Sequence, residues 1–318
     1  LIDLHTHCYF ACNDNSVDAD AIAARTGVTT WIDAGSCDAK TYRGFRRFIA
    51  DQSQARIFGF IYGYPRAIDL TVNPLASATA QVDATGAAVR DNRDLFLGIK
   101  VQLGYNMQGQ WTEGLADVGR EVCDRFGLRM MMHVSYSPPE TEFALKRLKP
   151  GDVMTHAFTG HGLKIVDDNG KLKPGVREAR QRGVLFDIGH GMGSFSFAVA
   201  RACLDHDFPP DTISSDIHQG SVNGPAFDLP TTMSKFLYLG MPLEECILRT
   251  TANAAKVLDD RVPGVGSLQE GGPADIALFQ LEEGEFTLVD AMKQRVTAKQ
   301  RIVNRLTICR GKRMLPRV

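Results

Sequence analysis

The sequence predicts an α/β protein: a (β/α)8 TIM barrel followed by a small β-sandwich-like second domain. Three observations carry this. Short apolar runs recur at near-regular intervals, each followed by a stretch with helical periodicity. Several runs are apolar on both faces, as a strand buried inside a parallel sheet must be. The texture then changes after residue 258, where Gly-rich turns replace helical stretches.

The expected strands are Ile2–His5, Thr29–Ala34, Ile57–Tyr62, Leu95–Val101, Arg129–Val134, Val153–Ala157, Val184–Ile188 and Thr212–Ile217. Between and after them, Ala19–Arg25, Thr41–Asp51, Thr79–Arg90, Glu113–Phe126, Glu140–Leu148, Gly175–Gln181, Phe195–His206 and Leu243–Leu258 alternate apolar and charged residues near a 3.6 period. Gly27, Gly127, Gly183 and Pro209-Pro210 punctuate them. Eight strand–helix units in residues 1–258 match a closed barrel in number and length. Residues 259–318 hold four further strand-like runs: Val265–Leu268, Ile276–Phe279, Phe286–Val289 and Leu306–Cys309. Sixty residues are marginal for an independent core, so this second domain is expected to lean on the barrel. Leu1 already opens a strand that carries chemistry, and we expect an N-terminal segment to precede it and complete the small β-domain.

Composition narrows the function. Of 318 residues, 44% are hydrophobic and 23% charged, the profile of a globular chain. Lys and Arg number 36 against 37 Asp and Glu, so no basic excess points to nucleic acid. No apolar run is long enough to cross a membrane. Seven scattered cysteines without a CxxC pair read as a reduced, cytoplasmic protein. The oligomeric state is unreadable, and a homo-oligomer stays open.

The histidines carry the chemistry. His5 and His7 form His-x-His at the end of the first run, and residues i and i+2 of a strand share a face. His133, His156 and Asp216 end the fifth, sixth and eighth runs, at the barrel face where active sites form. Neutral imidazoles with a carboxylate suit a divalent metal, and Zn²⁺ and Mn²⁺ both fit. Lys100 ends the fourth run, and an ammonium repels a cation. Either it points elsewhere, or CO₂ has converted it to an anionic carbamate able to bridge two metals. His190, among the glycines after the seventh run, is read either as a donor to substrate or as a plain loop residue. Tyr105, Tyr136 and His218 are candidate substrate contacts on loops after the fourth, fifth and eighth runs.

This order of residues resembles the amidohydrolase superfamily. Four longer segments resemble its dihydroorotase-like amidohydrolase/deacetylase branch: Thr26-Gly-Val-Thr-Thr-Trp-Ile-Asp-Ala-Gly-Ser36, Gly151-Asp-Val-Met-Thr-His156, Asp187-Ile-Gly-His-Gly-Met-Gly-Ser-Phe-Ser-Phe197 and Pro210-Asp-Thr-Ile-Ser-Ser-Asp216. The resemblance implies two divalent ions. His5, His7 and Asp216 hold the more buried one, His133 and His156 the other, and carboxylated Lys100 bridges them. It further implies that Asp216 takes a proton from a bridging hydroxide and passes it to the leaving group. Substrates of the branch are small acylated molecules, cleaved at an amide or an ester of a carboxylic acid.

Two departures bear on substrate. Dihydroorotases proper carry an Arg two residues after the second histidine, where this chain has Tyr9. D-aminoacylase-type relatives use a cysteine ligand after the second strand, where Cys37 stands, but they leave the lysine position empty. An acyl-amide or ester hydrolase is therefore the leading reading. A cyclic-amide hydrolase of the dihydroorotase or hydantoinase type comes second. A deaminase ranks below these, and a non-catalytic scaffold of the same fold is the reading from another class.

Overall fold

The computed structural model describes residues 1–64 and 73–315. Seven parallel strands lie side by side in chain order: β1 (Ile2–Thr6), β2 (Thr30–Ala34), β3 (Arg56–Tyr62), β4 (Phe96–Leu103), β5 (Arg129–Val134), β6 (Val153–Thr155) and β7 (Leu185–Phe186). Helices join them, with stops of the kind the sequence announces. Helix Ala19–Thr26 is opened by the Asp18 carboxylate and closed by Gly27 at φ 76°, and Gly127 at φ 63° ends helix Thr112–Phe126.

The eighth predicted strand, Thr212–Ile217, is not a regular strand. It meets the others through two isolated parallel bridges, Asp187 to Thr212 on one side and Thr6 to Ile217 on the other, which link the two edges of the sheet. Carboxylates do much of the work of a ladder here. Asp3 accepts the Ser215 backbone N–H at 2.9 Å and its hydroxyl at 2.5 Å. Asp187 accepts the Thr212 and Ser214 hydroxyls at 2.6 and 2.8 Å. Asp216 then takes φ 47°, which ends any extended run.

Two strands carry one extra residue. Asp3 pairs with Trp31 but Thr6 with Asp33, so β1 bulges between them. Gly59 pairs with Phe96 but Phe60 with Gly98, so β4 bulges at Leu97. Each bulge resets the alternation. Leu4 and Leu97 join Ile2, Ile32, Phe58, Phe60, Met131 and Val153 in the cluster filling the barrel, which Val257 and Leu258 seal. His5 and Lys100, of the opposite parity, still meet inside the barrel further up.

The small second sheet is a three-stranded antiparallel layer: β8 (Ile276–Val289), β9 (Arg295–Cys309) and β10 (Lys312–Arg313). Two predicted strands merge in β8, because Gly284 sits at a bulge rather than a turn. Charged residues hid the first half of β9, whose Val296, Ala298 and Ile302 face the barrel. Val265–Leu268 is a turn instead of a strand, since Gly264 and Gly266 both adopt positive φ. The sheet packs on helix Ala19–Thr26 and on helix Leu229–Tyr238, where the Ser234 hydroxyl accepts the Ile302 N–H at 2.9 Å. Apolar periodicity does not predict that second helix, although the Asp228 cap and Pro230 in its first turn announce it. The predicted helix Leu243–Leu258 divides at Thr250-Thr251, whose hydroxyls bond back to the Cys246 and Ile247 carbonyls.

Gly98 makes the β4 bulge possible, because a Cβ there would lie 2.1 Å from the Arg129 carbonyl oxygen. Gly98→Ala is expected to lower stability by about 1–3 kcal/mol in urea unfolding. Gly193→Ala, with nothing within 4 Å of the added carbon, should stay within about 0.5 kcal/mol of the parent.

Candidate metal centre

The mouth of the barrel gathers all six predicted ligand residues into one neighbourhood. His5 is the hub. Its Nε2 lies 3.0 Å from Lys100 Nζ and 3.4 Å from Asp216 Oδ1, and its ring centre is 4.8 Å from that of His156. His7 Nε2 lies 3.3 Å from the same Asp216 oxygen. His133 stands edge-on to His156 with centroids 4.2 Å apart. The ligand atoms of His5, His156 and Asp216 lie within 4.8 Å of one another.

Hydrogen bonds fix which ring nitrogens face inward. The Thr155 hydroxyl gives its one proton to Asp187 Oδ2 at 2.7 Å, so it accepts from His5 Nδ1 at 2.7 Å. His5 is therefore protonated at Nδ1 and turns the lone pair of Nε2 toward the cluster. His156 Nδ1 lies 2.6 Å from the Gly189 carbonyl, which only accepts, so its Nε2 is likewise an acceptor. His7 Nδ1 bonds the Ser36 hydroxyl at 2.9 Å. Such outer partners orient metal-binding imidazoles.

Asp216 Oδ1 is buried and has no hydrogen-bond donor among the described residues. It faces the His5 Nε2 lone pair across 3.4 Å, acceptor against acceptor. A divalent cation satisfies that arrangement, and these residues fit one.

Protonation agrees. Burial, then the neighbouring Lys100 and His156, pushes His5 and His133 well below the usual imidazole range. Burial brings His156 down to about 4, although Asp216 pulls the other way. Burial pushes Asp216 up, but the nearby His7, His218 and His156 outweigh it and hold the carboxyl at about 2. Near neutral pH, His5, His133 and His156 are thus neutral and Asp216 is a carboxylate.

Residues outside the ligand set fare differently. His190 is fully buried, with Nδ1 at 2.9 Å from the Gly191 carbonyl and Nε2 at 2.7 Å from Lys235 Nζ. Both of its ring nitrogens are thus engaged within the protein. His218 is better placed. Its Nδ1 accepts the Gly220 N–H at 3.0 Å, leaving Nε2 to carry the proton, and its ring lies 6.1 Å from that of His7. Tyr105 and Tyr136 are exposed on neighbouring loops, and Tyr136 stacks on His161 at 4.0 Å. Tyr9 turns into the core, packing on Phe45 and donating to the Thr41 carbonyl, so it does not replace an anion-binding arginine. Cys37 is buried, and its carbonyl receives the Tyr62 N–H at 2.8 Å.

Sequence reasoning missed the supporting residues Asp3, Ser36, Thr155, Asp187 and Ser214. A signal existed: each is a polar residue within or beside an apolar run, and a buried polar group must find a partner.

The amidohydrolase family model matches residues 1–314. The chain belongs to the amidohydrolase family. It is a hydrolase, and its barrel with a small accessory sheet is the fold of its relatives. It is 33% identical to a deacetylase of Agrobacterium fabrum over 294 residues, covering 91% of this chain and 72% of that protein. A deacetylase of Enterococcus faecalis is 30% identical over 313 residues, 98% of this chain and 84% of that one. Solved structures of an adenine deaminase and a dihydroorotase superpose with TM-scores of 0.90 and 0.86, each at 30% identity. They match over 98% of this chain and 85% and 84% of theirs. No described helix of this amidohydrolase is long and apolar enough to cross a membrane.

The Thr155 hydroxyl is the only link between His5 and Asp187 at hydrogen-bond distance among the described residues. Thr155→Val keeps the shape and removes that link, leaving the His5 Nδ1–H without its acceptor while Asp187 Oδ2 keeps the Ser214 hydroxyl at 2.8 Å. It is expected to cost about 1–3 kcal/mol in urea unfolding and to weaken divalent-metal binding about 10–100-fold in a chelator competition.

Proposed function

We propose that this amidohydrolase is a metal-dependent deacylase that removes an acyl group, acetyl first among them, from an amide or ester of a small carboxylic acid. The observation that carries the reading is the meeting, at one barrel mouth, of four imidazoles, Lys100 and Asp216, whose Oδ1 has no hydrogen-bond partner among the described residues. The two relatives named as deacetylases support the acyl group as substrate class.

His5, His7 and Asp216 would hold one divalent ion, Zn²⁺ or Mn²⁺, and His133 and His156 a second. Bound there, such ions supply Lewis acidity for an acyl carbonyl and lower the pKa of water toward neutrality. Lys100 would join the set as a carbamate, its amine adding to the carbon of CO₂ with release of a proton, and would supply an anionic ligand shared by the set. Its burial among imidazoles supports this, because an ammonium there would oppose any cation. Asp216, ionised near neutral pH, accepts a proton from the attacking water. The acyl C–N or C–O bond then breaks, and Asp216 returns the proton to the departing amine or alcohol. The His218 Nε2–H, on a ring beside His7, is a donor available for orienting substrate. Cytoplasmic action fits a chain in which no disulfide joins the described cysteines.

The dihydroorotase neighbour keeps a second reading alive, ring opening of a cyclic amide. N-acetyl amino acids, O-acetyl hydroxy acids, dihydroorotate and a hydantoin, assayed side by side, separate the two. Turnover of an acetylated compound above the cyclic ones is expected, and the reverse order rejects deacylation. Metal analysis should find two ions per chain when the protein is loaded with bicarbonate present. Lys100→Ala should lose at least one of them with nearly all turnover; wild-type metal content and rate in that variant would rule out the bridge. Asp216→Asn should lower kcat on the order of 10²–10⁴-fold with metal content measured alongside.

A further inference from the structure

Lys235 is a fully buried lysine on helix Leu229–Tyr238, outside the ligand set. Its Nζ lies 2.7 Å from His190 Nε2 and 2.7 Å from the Pro225 carbonyl. Burying an ammonium is costly, so these contacts call for a reason. The protons around His190 can be placed one by one. The Gly191 carbonyl only accepts, so His190 Nδ1 carries the ring proton. Nε2 is then an acceptor, and Lys235 donates to it and to Pro225. The ring also stacks on Phe195, with centroids 4.8 Å apart.

The segment that Lys235 grips from this side touches the candidate ligands on the other. Gly189 offers the carbonyl that takes the His156 Nδ1 proton. Gly191, at φ 53°, packs so closely on Asp216 that a Cβ would lie 2.2 Å from Oδ2. Backbone bonds from His190 to Ser214 and from Gly191 to Ser215 complete the tie.

We propose that Lys235 is a positioning residue: acting through His190, it locks residues 189–191 so that His156 and Asp216 hold metal-binding geometry. The inference rests on the metal-dependent reading above. Burial brings Lys235 down to about 7, with Asp290 and Asp228 opposing that fall, and the lock works with either protonation state because both supply the two donated protons.

The test uses the full chain with Lys235→Met, His190→Phe and the double variant. Zn²⁺ affinity is read by chelator competition, and kcat is measured on any substrate found. Lys235→Met is expected to weaken Zn²⁺ binding about 10–100-fold, and the double variant to lose no more than the worse single one. A merely structural role would lower stability and leave the metal affinity alone. Wild-type affinity in folded Lys235→Met, or additive losses in the double variant, overturns the proposal. Long-range ¹⁵N–¹H NMR of the metal-free parent gives a reading that needs no variant: His190 should appear as a neutral ring protonated at Nδ1. An Nε2-protonated ring overturns the lock even if Lys235→Met fails to fold. A parent that binds no divalent ion under any loading condition rejects the metal-dependent reading instead, and the NMR result tells the two failures apart.

Discussion

A β-strand turns every second side chain inward, and that alternation is the constraint under which this site is built. Strict alternation cannot put Leu4 and His5, or Leu97 and Lys100, on the same inner face of the barrel. Nor does it bring both Thr155 and its neighbour His156 toward His5. The fold departs from regularity at each of these places. Bulges in β1 and β4 re-aim His5 and Lys100, and left-handed backbone at φ 64° and 47° re-aims His156 and Asp216. A non-glycine residue in that region costs roughly 1–2 kcal/mol, less for His and Asp than for branched residues. The four departures all serve residues of the candidate metal centre, the pattern expected where backbone strain supports chemistry.

The strain is held by buried carboxylates. Asp33 accepts the N–H groups of Cys8 and Ser36 at 2.8 and 2.6 Å, tying the loop after β1 to the loop after β2. Asp3 and Asp187 fasten the irregular eighth segment, and Asp187 reaches His5 through Thr155. These carboxylates differ from Asp216 in which effect wins. Burial dominates the hydrogen bonds at Asp3, pushed up to about 7, and at Asp187, which also rises. At Asp216 the imidazoles win and the group stays ionised. That division matches their tasks. A tether works while its oxygens accept, whereas a cation ligand and proton acceptor must be charged.

How much of this the sequence made legible follows from the same physics. The barrel was readable because β2, β3 and β5 carry apolar residues on both faces, as strands covered on both sides must. The candidate ligand residues were picked out because each stands near the C-terminal end of an apolar run, and position along the run survives a bulge even when parity does not. The contact between His190 and Lys235 was not readable: the two lie 45 residues apart, and Lys235 is on a helix the apolar periodicity did not disclose. The eighth strand misled for a related reason. Thr212–Ile217 has a strand's composition, but Ser214 and Ser215 spend their hydroxyls on Asp187 and Asp3, and Asp216 then turns the chain. Arg295–Arg305 hid in the opposite way, as a strand whose charges face water.

Deacetylases, an adenine deaminase and a dihydroorotase resemble this chain at 30–33% identity, so the shared scaffold cannot choose among their substrates. The strands supply the cage of imidazoles and carboxylate, and nothing in that cage is particular to one of these substrates. Choice must therefore come from the loops beyond the strand ends. In this chain those loops place His218 beside His7, stack Tyr136 on His161, and fix the Gln102 side chain. Tyr62 donates to its carbonyl oxygen, and Gln108 does so at 3.1 Å. Gln102 follows Lys100 by two residues on β4 and pairs in register with His133, which puts it on the inner face one step further up the barrel. Among the described residues its oxygen has two donors, which fixes the direction of its amide nitrogen. A neutral N–H there can meet a carbonyl or carboxylate oxygen, and equally a ring nitrogen of adenine, which also accepts, so this donor orients a substrate without deciding between the classes.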